Sequence, residues 1–136
     1  MGVLAPPSGI PLDALRAALR ELSFIEGENL TFENRNFAAG SSEEISALAA
    51  ELLAMNPDVI VAVGNAAAVA LRNLSRSMPI VLWAGDPVES GLAESMAHPG
   101  GNVTGLSSAT SLLSGKRLEL LKATVPGLRH VAALSR

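Results

Sequence analysis

Residues 79–108 of the 136-residue chain read PIVLWAGDPVESGLAESMAHPGGNVTGLSS. An apolar run at 80–84 stops at Gly85-Asp86-Pro87, and a second β-type run at 103–106 stops at Ser107-Ser108. Strands that end in small or polar residues are typical of open parallel sheets, which place their loops around a ligand at one edge. This stretch therefore predicts two parallel strands whose following loops lie on the same side of the molecule.

The same alternation of strand and helix patterns runs through the whole chain. Strands are predicted at 3–5, 30–35, 59–63, 80–84, 103–106 and 130–134, and helices at about 11–22, 42–55, 66–74, 88–97 and 111–125. The continuous apolar run Val59–Val63 is typical of a strand covered on both faces, whereas Leu30–Arg35 alternates as an edge strand does. Strands joined through helices imply parallel βαβ units. We therefore expect an α/β fold with a five-stranded parallel sheet and helices on both faces.

Composition excludes several classes of protein. Apolar residues make up 49% of the chain and the net charge is −3, so there is no basic face of the kind that nucleic acid requires. The absence of cysteine removes disulfides and thiolate chemistry. The apolar runs are shorter than the roughly 20 residues of a membrane span, so no direct membrane insertion is expected. The start, Met1 to Ala5, lacks the basic and apolar regions of a signal peptide.

The loops after the predicted strands carry the candidate binding residues. They are Ser8 after the first strand, then Gly64, Asn65 and Ala66, then Gly85, Asp86 and Pro87, and finally Ser107 and Ser108. Two of these loops run into helix N-termini, whose free N–H groups favour an anionic group. The alternative for each loop is that its Gly and Asn only make turns and its Ser and Asp only cap helices.

Three residues of this edge each allow two interpretations. Asp86 accepts from a ligand amine or caps the helix predicted to begin near Pro87. Asn65 binds a ligand carboxylate or tolerates a left-handed turn. Trp83 walls the site or belongs to the core, and its position in an apolar strand favours the core.

The motifs of enzymes and cofactor-binding proteins are missing. The loop after the first strand has no GxGxxG pattern, and no GxSxG elbow occurs. Gly115-Lys116 does not form a phosphate loop, because Thr110 stands in place of its first Gly and Arg117 in place of its Ser or Thr. His98 and His130 have no partner at metal-ligand spacing. We predict no catalytic residue, no metal and no cofactor, and so a binding protein that is not an enzyme.

Five stretches in order resemble one protein family. They are FIEGENL at 24–30, DVIV at 58–61, GDPV at 85–88, PGGNVTGLS at 99–107 and LSGKRLELLK at 113–122. Together they resemble the substrate-binding proteins of bacterial ABC transporters associated with tryptophan, tyrosine or sugar uptake. The resemblance runs along essentially the whole chain.

This resemblance implies a type I periplasmic-binding-protein fold, in which two flavodoxin-like lobes close on a small ligand. Residues 1–127 would form the N-terminal lobe, and 128–136 the crossover and first strand of a second lobe. It implies an amino-acid-like ligand, an ABC permease as partner of the full-length protein, and a periplasmic or lipoprotein-anchored location. By position, Asn65 and Ala66 would hold the ligand carboxylate, while Gly85, Asp86 and Ser107 would border its amine.

Two other functions remain open from the sequence. One is a flavodoxin-like or nucleotide-dependent enzyme domain, against which the missing phosphate-binding and catalytic motifs argue. The other is a periplasmic-binding-like sensor domain of a regulator, which would share the fold and differ only in the segment fused to it.

Overall fold

The computed structural model describes residues 1–7, 12–38, 41–108, 110–125 and 127–132. Its elements in chain order are β1 (Gly2–Ala5), α1 (Leu12–Glu21), β2 (Glu33–Asn36), α2 (Ser42–Ala54), β3 (Ile60–Val63), α3 (Asn65–Leu74), β4 (Ile80–Ala84), β5 (Val103–Ser107) and α4 (Thr110–Thr124). This order confirms the predicted alternation of strands and helices, except between β4 and β5.

The five strands form one sheet in the order β2-β1-β3-β4-β5. All four pairings are parallel. The polar strand β2 lies at an edge and the fully buried strand β3 lies at the centre, as their sequences predict. The strand order reverses between β1 and β3, and α/β sheets bind ligands outside the carboxyl ends of their strands near such a reversal.

The main core lies between the sheet and helices α2 and α3. The helices contribute Ile45, Ala49, Leu52, Ala67, Ala68 and Leu71, and the strands contribute Leu4, Ile60, Ala62, Ile80, Leu82 and Val103. The other face has a smaller core, in which Val3, Ala5, Val61 and Val63 pack with Leu12 of α1 and with Phe32. Helices therefore cover both faces, and the predicted three-layer α/β architecture is confirmed.

Helix α2 begins as its sequence predicts. Ser41 is the N-cap, and its hydroxyl accepts a hydrogen bond from the backbone N–H of Glu44 at 3.3 Å. The pKa of Glu43 is lowered, first by a hydrogen bond from its own backbone and second by the Ser41 side chain. The acidic first turn also suits the positive end of the helix dipole.

The helix predicted at 88–97 does not form. Residues 87–91 make a turn instead, in which the N–H groups of Leu92 and Ala93 both donate to the Pro87 carbonyl. Gly91 then adopts a positive φ of 65°, which ends any helical ladder. The Ser90 hydroxyl also donates to the Asp86 carbonyl, so local side-chain bonds compete with the helix.

The predicted strand at 130–134 is wrong for the residues that the structure describes. Residues 128–132 have no regular secondary structure, and 133 and 134 lie outside the described residues. The sequence predicts this strand as the start of a second lobe, and no strand of the described sheet pairs with it, so it lacks the neighbours that a stable strand needs.

Part of the sheet is left uncovered on the face that α1 shares. Val81 and Trp83 of β4 are 36% and 43% exposed there, and Leu106 of β5 is 73% exposed. The expectation that Trp83 belongs to the core is therefore wrong, because α1 reaches only the β1 and β3 side of this face. Helix α4 also exposes apolar side chains, among them Leu118 and Leu120.

Candidate functional site

The carboxyl ends of β3, β4 and β5 lie next to one another, and hydrogen bonds tie their loops together. The N–H of Gly64 donates to the Trp83 carbonyl at 2.9 Å, and the Ser107 hydroxyl donates to the Gly85 carbonyl. The side-chain amide of Asn65 donates to the Asp86 carbonyl at 3.4 Å. The structure thus brings three of the four predicted loops together, while Ser8 of the fourth lies outside the described residues.

The loop after β3 presents the start of helix α3 to this edge. Gly64 is the N-cap, with φ of 91°, and it has no side chain that could satisfy the first amides of the helix. The first bond of the ladder runs from the Ala68 N–H to the Gly64 carbonyl. The amides of residues 65–67 precede that ladder, so they point out of the helix where its dipole favours an anionic group.

The Asn65 side chain connects two loops through one of its polar atoms, and its other polar atom has no hydrogen-bond partner among the described residues. Its amide nitrogen donates to the Asp86 carbonyl, and its oxygen Oδ1 takes no part in that bond. That oxygen is also buried. A buried carbonyl oxygen without a donor is costly, so this atom is suited to accept from a bound ligand.

Asp86 acts as a cap in the structure, although the element that it caps is a turn and not a helix. Its Oδ1 atom accepts from the N–H of Val88 at 2.9 Å and from that of Glu89 at 3.1 Å. The hydrogen bonds of a cap are therefore present, but the helix that Asp86 was predicted to cap is not; the role of Asp86 as a ligand tether stays a prediction. One carboxylate has acceptor positions for both roles.

A cavity of about 310 Å³ adjoins this edge. It lies along β5, with Leu82 and Gly105 among its lining residues together with the segment around Met96. Pro87 and Ser107 line it, whereas Gly64, Asn65 and Asp86 do not. Two of the predicted site residues therefore line the cavity, whereas Gly64, Asn65 and Asp86 lie at the edge of the sheet that borders it.

The described residues contain no arrangement suited to metal binding. No group of three or more His, Asp or Glu side chains lies close enough to hold a metal ion in the part of the chain that the structure describes. No helix among the described residues is long and apolar enough to cross a membrane. Hydrogen-bond donors and acceptors, mostly from the backbone, are what this edge offers to a ligand.

Comparison with known proteins identifies a matching family. The family model described as "ABC transporter substrate binding protein" matches residues 10–135. A tyrosine-binding protein of Clostridioides difficile (strain R20291) is 31% identical over 118 residues, which are 86% of this chain and 33% of that protein. This chain thus spans about a third of the length of that relative.

Solved structures share the fold. A conserved domain protein of Vibrio cholerae superposes with a TM-score of 0.73 at 31% identity, over 93% of this chain and 43% of that one. The ligand-free, open form of an adhesive substrate-binding protein of Clostridium difficile gives a TM-score of 0.70 at 29% identity, with the same coverage. A domain from Streptococcus pneumoniae in complex with L-Trp gives 0.65 at 24% identity, over 78% of this chain and 37% of that one, and supports the fold alone. Because the family model covers nearly all of the sequence, the chain belongs to the ABC transporter substrate-binding protein family.

Proposed function

We propose that this chain is a ligand-binding lobe of an ABC uptake receptor and that it binds a small amino-acid-like ligand at the carboxyl edge of its sheet. The observation that carries the proposal is the convergence of three loops. They bring the free amides at the start of α3, the unpartnered Oδ1 of Asn65 and the linked ends of β4 and β5 to one place. The name of a tyrosine-binding relative supports the ligand class.

The geometry suggests which groups of the site would bind the carboxylate of an amino acid and which would bind its amine. The amides of Asn65 and Ala66 donate, so they suit the α-carboxylate. The Asn65 side chain offers an acceptor, so it suits the α-amino group instead of the carboxylate. Asp86 lies in the adjoining loop and would add negative charge near that amine. Ser8, Gly64, Pro87, Ser107 and Ser108 complete the proposed edge.

The proposal includes a second lobe. We infer that residues 1–127 form the N-terminal lobe and that 128–136 lead into another unit, which would close the site from the other side. Exposed apolar residues on α4, such as Leu118 and Leu120, support this division, since monomeric proteins rarely expose large apolar patches. Delivery to an ABC permease and a location outside the cytoplasm follow from the family and belong to the same proposal.

Chemical-shift titration of the ¹⁵N-labelled chain tests the proposal. L-Tyrosine and L-tryptophan should shift the amide signals of Asn65 and Ala66, whereas the amino-acid amide, which lacks the carboxylate, should shift them far less. Asn65→Ala should weaken binding by about tenfold or more, which corresponds to one lost hydrogen bond to a charged group. Asn73→Ala, on an exposed part of the same helix, is the matched control.

The outcomes are distinct. Equal responses to the amino acid and to its amide would remove the carboxylate from the proposed contacts. A response to nucleotides alone would contradict the receptor function and favour a nucleotide-dependent domain.

A further inference from the structure

A second cavity lies at the opposite end of the sheet from the proposed ligand site. It has a volume of about 210 Å³ and lies between the last turn of α3 and the loops that precede β5. Arg72 and Arg76 line one side, and the Gly100-Gly101 turn lines the other. This turn is part of the conspicuous PGGN stretch, which the proposed function leaves without a role.

Neither arginine of this cavity has a carboxylate partner in the part of the chain that the structure describes. Among the described residues, ion pairs within 4.0 Å involve Arg16, Arg35 and Lys116, and neither Arg72 nor Arg76. A guanidinium cannot lose its charge in a protein, so both side chains carry unneutralised positive charge. The chain as a whole has a net charge of −3, which makes this a local positive region on an acidic molecule.

Arg72 also has an unsatisfied donor. Its Nη1 group donates to the Gly91 carbonyl, which fixes the guanidinium at the wall of the cavity. Its Nε atom is buried and has no acceptor within the described part of the chain. A buried charged donor without an acceptor is costly, and an oxygen atom in the cavity would satisfy it.

The glycine turn supplies a backbone surface opposite the arginines. Gly100 and Gly101 are exposed, and their N–H groups donate no hydrogen bond to a described residue. Gly100 has φ of 73°, and a Cβ atom there would come within 2.7 Å of the Glu94 side chain. Glycine is thus favoured here by the positive φ and by the Glu94 side chain that packs against the turn.

Of the described residues that line this cavity, Glu94 is the only one with a carboxylate. It is exposed and lies more than 4.0 Å from both guanidinium groups, so it forms an ion pair with neither. Two positive charges and one negative charge leave the cavity with a net positive charge. Glu94 would therefore repel an anion without cancelling the attraction of the two arginines.

We propose that this cavity binds a small tetrahedral oxyanion of the phosphate class. Arg72 Nε and the Arg76 guanidinium donate from one side, and the glycine N–H groups donate from the other. Bidentate guanidinium groups and backbone amides together are the donors that phosphate oxygens prefer in proteins. The site lies at the amino ends of the strands, so it is separate from the proposed amino-acid site and does not depend on it.

The test is a titration of the ¹⁵N-labelled chain with inorganic phosphate at constant ionic strength, with chloride as the balancing ion. Saturable shifts of the Gly100 and Gly101 amide signals are expected. Arg76→Gln should weaken phosphate binding by about threefold or more, and Glu94→Gln should strengthen it by a similar factor, as expected for single charges near a protein surface. Arg117→Gln on exposed α4 removes the same charge away from the cavity and should change nothing.

Opposite effects of the Arg76 and Glu94 variants separate the proposed site from a general effect of charge. Both positions are exposed, so neither variant is expected to prevent folding. Glycerol 1-phosphate is the second ligand, and it distinguishes a free ion from a phosphoester. If it binds at least as tightly as phosphate, the site accepts a phosphoester; if it binds more weakly, the site accepts the free ion. Glycine signals that do not saturate, or that respond equally in Arg76→Gln and in the unsubstituted chain, would overturn the proposal.

Discussion

Replacing Gly105 by alanine adds a single methyl group, and we expect this small change to destabilise the fold strongly. It has φ of 150°, and a Cβ atom at this position would lie 1.9 Å from the carbonyl oxygen of Leu82 on the neighbouring strand. An L-residue in this region of backbone space costs about 1–3 kcal/mol. The overlap adds a further ~1–3 kcal/mol if the strands move apart to relieve it. Gly105→Ala should therefore lower the free energy of unfolding by about 2–6 kcal/mol.

Such a loss would be easy to measure. A domain of this size has a stability of roughly 7–20 kcal/mol, so the variant should unfold at a clearly lower urea concentration. Trp83 is the only tryptophan of the chain and pairs with Leu106 across β4 and β5. Its fluorescence therefore reports on the attachment of β5, while far-ultraviolet circular dichroism reports on the helices. In Gly105→Ala, we expect the fluorescence transition to fall below the dichroism transition.

Gly101→Ala provides the control. No atom lies within 4 Å of a Cβ at that position, and the backbone there does not have the positive φ of Gly105. This control should change stability by no more than about 0.5 kcal/mol. If Gly105→Ala proves as stable as Gly101→Ala, the described contact between β4 and β5 is incorrect, and with it the placement of Ser107.

Four further changes test other parts of the structure. Leu52→Ala removes a fully buried side chain and should cost about 2–5 kcal/mol in chemical unfolding, whereas Leu22→Ala, at a site 69% exposed, should cost less than about 0.5 kcal/mol; equal losses would contradict the described core. Asp86→Ala should cost about 1 kcal/mol of unfolding free energy through the lost turn cap. Asp86→Asn should retain most of that stability, because an amide oxygen can still accept both hydrogen bonds. A large loss in both variants would mean that the negative charge matters more than the hydrogen bonds. The pKa of Glu43 is lower in the folded chain, so its contribution to stability is present above the unfolded pKa and is lost as the pH falls through the folded pKa. Glu43→Gln should therefore reduce the acid dependence of the thermal midpoint. An unchanged pH profile would argue against the cap at the start of α2. Trp83→Gln should decrease the binding of a hydrophobic dye with little loss of stability, since this side chain is 43% exposed, and a loss of several kcal/mol would show that Trp83 is buried after all.

The strands were predictable because their composition carries the signal directly. The continuous apolar run of β3 and the polar alternation of β2 correspond to the centre and the edge of the observed sheet. The start of α2 was also predictable, since a Ser cap followed by acidic residues is a local pattern. These elements are determined by residues that are neighbours in the sequence, so their patterns can be recognised without the structure.

The features that sequence analysis missed depend on contacts between distant residues or on competition within a turn. The segment after Asp86 has apolar residues at helical spacing, but its serine side chains and Gly91 favour successive turns. The exposure of Trp83 depends on how far α1 reaches across the sheet, which no pattern within β4 reveals. The bond from Asn65 to the Asp86 carbonyl joins residues 21 positions apart, so the unpartnered Oδ1 atom became visible only in three dimensions.

The place of β1 within the sheet has a consequence for the order of folding. This strand precedes the other four strands of the sheet in the chain, yet it pairs on one side with residues 33–36 and on the other with residues 60–62. A nascent chain can therefore assemble a three-stranded nucleus with α2 once β3 has emerged. Strands β4 and β5 then add one after the other to the same edge, so each step closes a short loop and assembly proceeds in the direction of synthesis.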